Sequence, residues 1–190
     1  MYQKYSTEAI VLGSRERGEA DRLVALYTQD FGLVWARAGA ARASYSKMRY
    51  SITHYSRVKV SLIKGKRGWR LAGTVALAPL VGNMSAQSAF ARTAALITRM
   101  VIGEEQHEYL YQTLKNAHET LATTDVATVP IVELVTVARV LHTLGYLSTE
   151  AVGTSLFTHT MLVEESLDEA MRSRNELLNS INRALSETHL

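Results

Sequence analysis

The chain has 190 residues, of which 47% are hydrophobic and 21% charged, proportions that allow one large or two small packed domains. It contains no cysteine, which excludes disulfides, thiolate metal sites and cysteine nucleophiles. The six histidines lack metal-ligand spacing, and no apolar run approaches the roughly 18 residues of a membrane span. We therefore expect a soluble, cytoplasmic protein that needs no metal or other cofactor.

The net charge of +3 is unevenly distributed along the chain. Residues 1–80 carry fourteen Lys and Arg against five acidic residues, whereas residues 81–190 carry seven against thirteen. No acidic residue occurs between Asp30 and Glu104. A long stretch with one sign of charge attracts polyanions, and solubility alone would not require the loss of every carboxylate. The basic half is therefore predicted to bind nucleic acid.

Five short strands are predicted in the basic half from apolar alternation, at residues 7–14, 22–28, 33–40, 57–63 and 69–77. A turn ending in Gly32 joins the second and third strands, and the basic turn 64–68 joins the last two. On the last strand, one apolar face is expected to hold Trp69, Leu71, Val75 and Leu77. Five short strands with bends at glycines favour a small closed barrel of the OB type over an open sheet.

After Pro79 and Gly82 the hydrophobic period becomes helical. Helices are predicted at residues 85–102, 104–122, 130–144 and 166–185, the last opened by a Ser166–Glu169 capping box. The segment 148–163 is ambiguous, since its second part could be a short strand or an irregular connection. The predicted fold class is α+β, with a five-stranded OB-fold barrel over residues 1–80 followed by an all-α domain over 81–190.

No motif of a catalytic site is apparent, so an enzyme is not expected. The turn 64–68 lacks the spacing of a phosphate-binding P-loop and falls between two predicted strands. Glu16, Glu19 and Asp21 could bind a metal, but arginines are interleaved with them, and neutralised loop charges are the commoner outcome. No serine or threonine stands in a recognisable nucleophile motif.

Residues 37–70 contain ten basic residues with aromatic residues interleaved among them. Basic side chains neutralise phosphates, and aromatic rings offer faces on which bases stack. Tyr45 and Tyr50 lie in a polar loop and are predicted to stack, whereas Trp69 is expected to pack in the core. The candidate nucleic-acid-binding residues are Arg37, Arg42, Tyr45, Lys47, Arg49, Tyr50, Arg57, Lys59, Lys64, Lys66, Arg67 and Arg70.

Several short motifs occur in a characteristic order: YSTEAIVL at 5–12, GEADRLV at 18–24, YTQDFG at 27–32, AGAAR at 38–42 and LGYL at 144–147. This series resembles the RecO family of bacterial recombination mediators, and Ser46 and Lys47 match that family's serine-bearing loop. The resemblance covers the first eighty residues well and the helical half loosely.

The resemblance implies an OB domain and a helical domain that bind single- and double-stranded DNA and anneal complementary strands at the nucleoid. It also implies work with RecR and single-stranded DNA-binding protein to load the recombinase RecA. Many members carry a four-cysteine zinc site after the LGY helix, but residues 148–157 contain no cysteine, so a short, metal-free variant is implied. Two alternatives stay open, an RNA- or ribosome-associated OB-fold protein and an adaptor that binds only protein.

Overall fold

Alternating apolar residues build five strands in the first part of the chain. The structure is a computed structural model that describes residues 3–41, 48–148 and 155–187, except for the side chains of Arg49 and Ser155. The strands are β1 (Lys4–Arg17), β2 (Asp21–Thr28), β3 (Gly32–Ala38), β4 (Arg57–Gly65) and β5 (Gly68–Ala78), and a one-turn helix α1 (Met48–Ser51) precedes β4.

The five strands close into a barrel in the order β1-β2-β3-β5-β4. The β3–β5 pair is parallel, and the other four pairs are antiparallel. Inward-facing aliphatic residues such as Val24, Ala36 and Val60 fill the interior. The prediction of an N-terminal five-stranded OB-fold barrel is confirmed.

The turn between β2 and β3 depends on one threonine and one glycine. The Thr28 hydroxyl accepts a hydrogen bond from the Phe31 backbone N–H and donates one to the Gly32 carbonyl oxygen, both at 3.0 Å. Gly32 has a φ of 61°, in the left-handed region that favours glycine. The turn predicted to end in Gly32 is therefore found, with this glycine in the left-handed conformation.

The prediction that Val75 and Leu77 share the apolar face of Trp69 is wrong. Trp69 and Leu71 are buried, but the side chain of Val75 is 63% exposed. The β4–β5 register shifts between Ser61 and Leu62, so β5 has one extra residue at that point. Because strand side chains alternate between faces, one extra residue turns the following apolar positions outward.

Six helices follow the barrel within the described part of the chain. They are α2 (Met84–Met100), α3 (Glu108–Thr123), α4 (Val129–Thr143), α5 (Ser155–Thr158), α6 (Glu164–Arg172) and α7 (Arg174–Glu187). Pro130 lies in the first turn of α4, and Gly145 follows that helix with a φ of 80°. The predicted α+β class is confirmed. None of these helices is long and apolar enough to cross a bilayer.

Two predictions about the last part of the chain are corrected. The Ser166–Glu169 capping box does not form, because the helix begins earlier, at Glu164, and the Ser166 hydroxyl donates to the Val163 carbonyl oxygen at 2.7 Å. The single predicted helix is also divided at Ser173 into α6 and α7. The ambiguous segment contains the one-turn helix α5 and, among its described residues, no strand.

By its internal packing the chain forms two compact units. One contains residues 1–80 together with 100–111, and the other contains residues 81–99 together with 112–190. In the barrel unit, the backbone carbonyl of Glu105 comes so close to Gly32 that a Cβ there would lie 2.0 Å from the Glu105 oxygen. Gly32 is therefore needed for this close approach as well as for its turn.

Candidate nucleic-acid interface

A row of residues crosses the outer face of the barrel. Arg15 of β1 pairs with Leu23 of β2, Leu23 with Arg37 of β3, and Arg37 with Arg70 of β5. Register partners share a face, and the neighbour Ala36 points into the core, so these four residues point outward. The three arginines of this outer row therefore span roughly 14 Å, which is three strand spacings.

A basic cavity of about 480 Å³ lies at the Arg37–Arg70 end of the outer row. We call it the basic basin; it is lined by Arg17, Arg37, Ile63, Gly65, Lys66, Arg67, Gly68, Trp69 and Arg70. Arg17 ends β1, and Lys66 and Arg67 form the β4–β5 turn. None of these lining residues is acidic. Five cations that converge on one concave site create a strongly positive local potential.

The basin contains four of the residues predicted from the sequence, Arg37, Lys66, Arg67 and Arg70. Trp69 lines the same cavity but is only 5% exposed and contacts Tyr5 and Phe31, with ring centroids 5.6 and 5.2 Å away. It therefore packs in the barrel core, as the sequence predicts. Its packing positions the β4–β5 turn, whose cations line the basin.

Arg37 is paired with Asp21 beside the basin. The Arg37 Nε donates to the Asp21 carboxylate at 2.6 Å, and the Ala40 backbone N–H donates to the same carboxylate at 2.9 Å. These hydrogen bonds, first that from Ala40 and then that from Arg37, lower the pKa of Asp21. Asp21 is thus an ionised partner of Arg37.

Lys64 does not line the basic basin. Its Nζ lies 2.8 Å from the Glu104 carboxylate and 5.0 Å from the centroid of the Trp69 ring. Partial burial is the largest single influence on the pKa of Glu104 and raises it. The hydrogen bond from Lys64, a contribution from Trp69 and the charge of Lys64 together outweigh burial, so the net pKa is lowered. The charge of Lys64 is therefore compensated within the barrel unit.

Two other predicted cations lie on β4, outside the basin. Arg57 is largely buried, with 14% of its side chain exposed, and its guanidinium lies 3.7 Å from the Glu8 carboxylate. The Tyr111 hydroxyl donates to that carboxylate at 3.3 Å, and burial followed by the Glu8 charge raises the pKa of Tyr111. Lys59 is exposed, opposite Glu8 and Val75 in the register.

The predicted stacking residues are only partly described. Tyr50 is exposed on α1 and does not line the basin. Arg42, Tyr45 and Lys47 lie outside the described residues, as does the side chain of Arg49. Their role in binding stays a prediction.

Three residues of the outer face were missed by sequence reasoning: Arg15, Arg17 and Trp35. Trp35 is 37% exposed, and the Arg15 guanidinium carbon lies 5.2 Å from the centroid of its ring. Strict alternation along β3, with Val34 and Ala36 pointing inward, would have placed Trp35 on the outside. Arg15 and Arg17 were not selected from the sequence because acidic residues lie next to them.

No group of three or more His, Asp or Glu that could hold a metal ion occurs among the described residues.

Comparison with known proteins concerns the barrel. Residues 1–72 match the family model described as "Recombination protein O N terminal". DNA repair protein RecO of Myxococcus xanthus (strain DK1622) is 34% identical over 73 residues, which are 38% of this chain and 30% of that relative. DNA repair protein RecO of Desulfitobacterium hafniense, in strains DSM 10664 / DCB-2 and Y51, is 36% identical over 62 residues, 33% of this chain and 23% of each relative.

The matches therefore span less than a third of the length of these relatives. The family-model match includes the motifs at residues 5–42, strands β1 to β4 and the first part of β5 of the closed barrel. Residues 1–72 of this chain are therefore similar to the N-terminal domain of the RecO family.

Proposed function

We propose that the chain binds DNA on the outer face of its barrel, as a recombination mediator in DNA repair. The observation that carries the proposal is the basic basin, in which five cations surround one cavity without a carboxylate among its described lining residues. OB folds bind oligonucleotides on the face of their second and third strands and at the β1–β2 and β4–β5 loops. The basin lies between Arg17, beside the first loop, and the Lys66–Arg67 turn, which is the second.

Phosphate is the group that this chemistry fits best. Lys and Arg gain binding energy from phosphates mainly by releasing the counterions of the nucleic acid, so affinity falls as salt rises. Arginine also matches the phosphate geometry with two parallel hydrogen bonds. The exposed arginines of the outer row extend this positive surface beyond the basin.

Strand annealing would follow from the same charges. Two complementary strands repel each other through their phosphates, and a surface that neutralises one strand lowers the barrier to its encounter with the second. No nucleotide hydrolysis is required for this step. The relatives are named DNA repair protein RecO, which supports a role in repair. The proposal includes RecR and single-stranded DNA-binding protein as partners and the loading of RecA as the outcome.

A salt titration of binding tests the proposal. Fluorescence anisotropy would follow labelled single-stranded DNA, duplex DNA and RNA of the same sequence from low to moderate salt. We expect DNA binding whose log affinity falls linearly with log salt, by about 0.7 for each phosphate neutralised on a single strand. Preference for RNA would favour the RNA- or ribosome-associated alternative. No salt-dependent affinity for any nucleic acid would favour the protein-only adaptor.

A further inference from the structure

An exposed tryptophan next to a phosphate-binding surface needs an explanation. In the described barrel the indole of Trp69 is packed in the core, whereas Trp35 lies on the outer face, 37% exposed. Trp35 is two residues from Arg37 on β3, and both side chains point outward. Arg15, which lies over the Trp35 ring, belongs to the same outer row as Arg37.

The residues beside Trp35 on the outer face of the sheet are small. Gly13 of β1 pairs with Ala25 of β2, and Ala25 pairs with Trp35 of β3, so the three residues form a line across the face. A Cβ built at Gly13 would meet no atom within 4 Å. Ala25 is buried, at 1% exposure, but the absence of a side chain at Gly13 leaves space at that end of the line for a flat ligand.

The two side chains offer the surfaces on which nucleobases stack. Aromatic rings and arginine guanidinium planes both receive unpaired bases, and this contact tolerates any sequence because every base has a π face. From Arg15 to Arg37 the outer row extends two strand spacings, or roughly 10 Å. A single DNA strand could therefore place its phosphates in the basic basin and a neighbouring base on the Arg15–Trp35 pair.

We propose that Arg15 and Trp35 form a nucleobase-stacking subsite, which gives this face a preference for unpaired DNA over duplex. The inference rests on the proposed function, because it assigns the base contact that accompanies the phosphate contacts of the basin. In a duplex the bases are already paired and stacked, so they cannot reach this pair of side chains. Phosphate contacts alone would not make unpaired DNA bind more tightly than duplex DNA through this contact.

Oligonucleotides without bases test the subsite directly. Affinities of the full chain for a thymidine oligomer and for an abasic oligomer of the same length would be measured at one salt concentration. We expect the thymidine oligomer to bind roughly 5- to 150-fold more tightly, the range that stacking of one base supplies. Trp35→Ala should reduce that ratio nearly to one, and Trp35→Phe should retain part of it. Tyr146→Ala, which removes an exposed aromatic ring outside the barrel, is the matched control and should leave the ratio unchanged.

A second pair of variants separates the contribution of the planar Arg15 guanidinium to binding from the contribution of its charge. Arg15→Lys keeps the cation but removes the planar guanidinium, so it should lower the thymidine-to-abasic ratio with little change in the salt slope. Arg15→Ala should lower the same ratio and also flatten the salt slope by about 0.7 if this residue contacts a phosphate.

The outcomes distinguish the two proposals. If no oligomer binds with a salt-dependent affinity, the proposed function fails. If both oligomers bind with the same steep salt dependence, and the ratio is near one in the wild type or unaffected by Trp35→Ala, the stacking subsite is overturned and DNA binding stands. Because the abasic oligomer reports the phosphate contacts, its unchanged affinity for Trp35→Ala would show that this variant is folded.

Discussion

Asp21 and Arg37 form an ion pair at the edge of the basic basin, with 2.6 Å between the Asp21 carboxylate and the Arg37 Nε. The same carboxylate accepts a hydrogen bond from the Ala40 backbone, where the chain has a positive φ of 51° after β3. One side chain thus orients a basin cation and fixes the start of the following loop. It also reduces the net positive charge that the basin presents.

The first prediction concerns the pH dependence of stability. The pKa of Asp21 in the folded protein is lower than its ordinary value of 3.8, so its ionised form stabilises the fold. That contribution is present above pH 3.8 and is lost as the pH falls through the folded pKa. Asp21→Asn should therefore lower the free energy of unfolding by a constant amount near neutral pH, and the difference should disappear in acid.

Urea unfolding of the wild type and Asp21→Asn over a series of pH values measures this difference. Asp30→Asn, the same chemical change at an exposed turn position, is the control and should have little effect. A difference between Asp21→Asn and the wild type that persists unchanged into strong acid would contradict the assignment of its effect to the ionised carboxylate.

The second prediction separates basin cations from a neighbouring cation that is already paired. Replacement of Arg17, Lys66 and Arg67 by alanine should flatten the dependence of log affinity on log salt by about 2, if each contacts one phosphate of a single strand. Affinity should fall by a similar factor for all sequences, because phosphate contacts carry no base information.

Lys64→Ala is the matched control for the triple variant. Its ammonium is held by Glu104 at 2.8 Å, so we expect a salt slope close to that of the wild type. Anisotropy titrations at several salt concentrations give both slopes. Equal losses for Lys64→Ala and for a single basin variant such as Lys66→Ala would show that the pairing with Glu104 does not withdraw Lys64 from DNA.

Much of the barrel could be predicted because strand formation depends on local alternation and local turn chemistry. Val58, Val60 and Leu62 alternate with polar residues, and all three are in the barrel core. The extra residue in β5 could not be predicted in this way, because a bulge is defined by the register with the partner strand. Its effect on Val75 is visible only in the paired sheet.

The candidate site could be predicted only in part, because the partners of its charged residues depend on the tertiary structure. Charge is visible in the sequence, so Arg37 and Arg70 could be selected, but their partners are set by the fold. Lys64 meets Glu104 forty positions later in the sequence, and Arg57 meets Glu8 from another strand. Arg15 joins the outer row only through the pairing of four strands.

The third prediction concerns the contact between Gly32 and the Glu105 backbone. An alanine at position 32 would require a left-handed backbone and would place its Cβ 2.0 Å from the Glu105 carbonyl oxygen. We expect Gly32→Ala to lower the free energy of unfolding by about 2–5 kcal/mol, the sum of the conformational cost and the cost of moving the backbone.

Gly18→Ala is the control for the conformational cost alone. Gly18 has nearly the same φ, 64°, but a Cβ there would meet nothing within 4 Å. Its substitution should cost about 1–2 kcal/mol, measured by urea unfolding in parallel. Similar losses for the two variants would show that residue 105 does not approach the turn in solution.

The last prediction concerns Arg139, which is 99% buried in α4, at 1% relative exposure. Its guanidinium donates to the carbonyl oxygens of Leu156, Thr160 and Met161 at 2.8, 2.8 and 3.2 Å. These bonds organise the segment whose structure the local sequence left ambiguous, since the ordering group lies seventeen or more positions earlier. Arg139→Met would leave three carbonyl oxygens without these donors and should destabilise the chain by about 3–5 kcal/mol.

Arg92→Met is the control for this prediction. Arg92 makes two hydrogen bonds, both to Glu133 at 2.6 Å, but it is exposed, so its replacement should lower the free energy of unfolding by no more than about 1 kcal/mol. Urea unfolding of both variants measures the two losses, and a loss for Arg139→Met as small as that for Arg92→Met would mean that the segment is held in place by its other contacts.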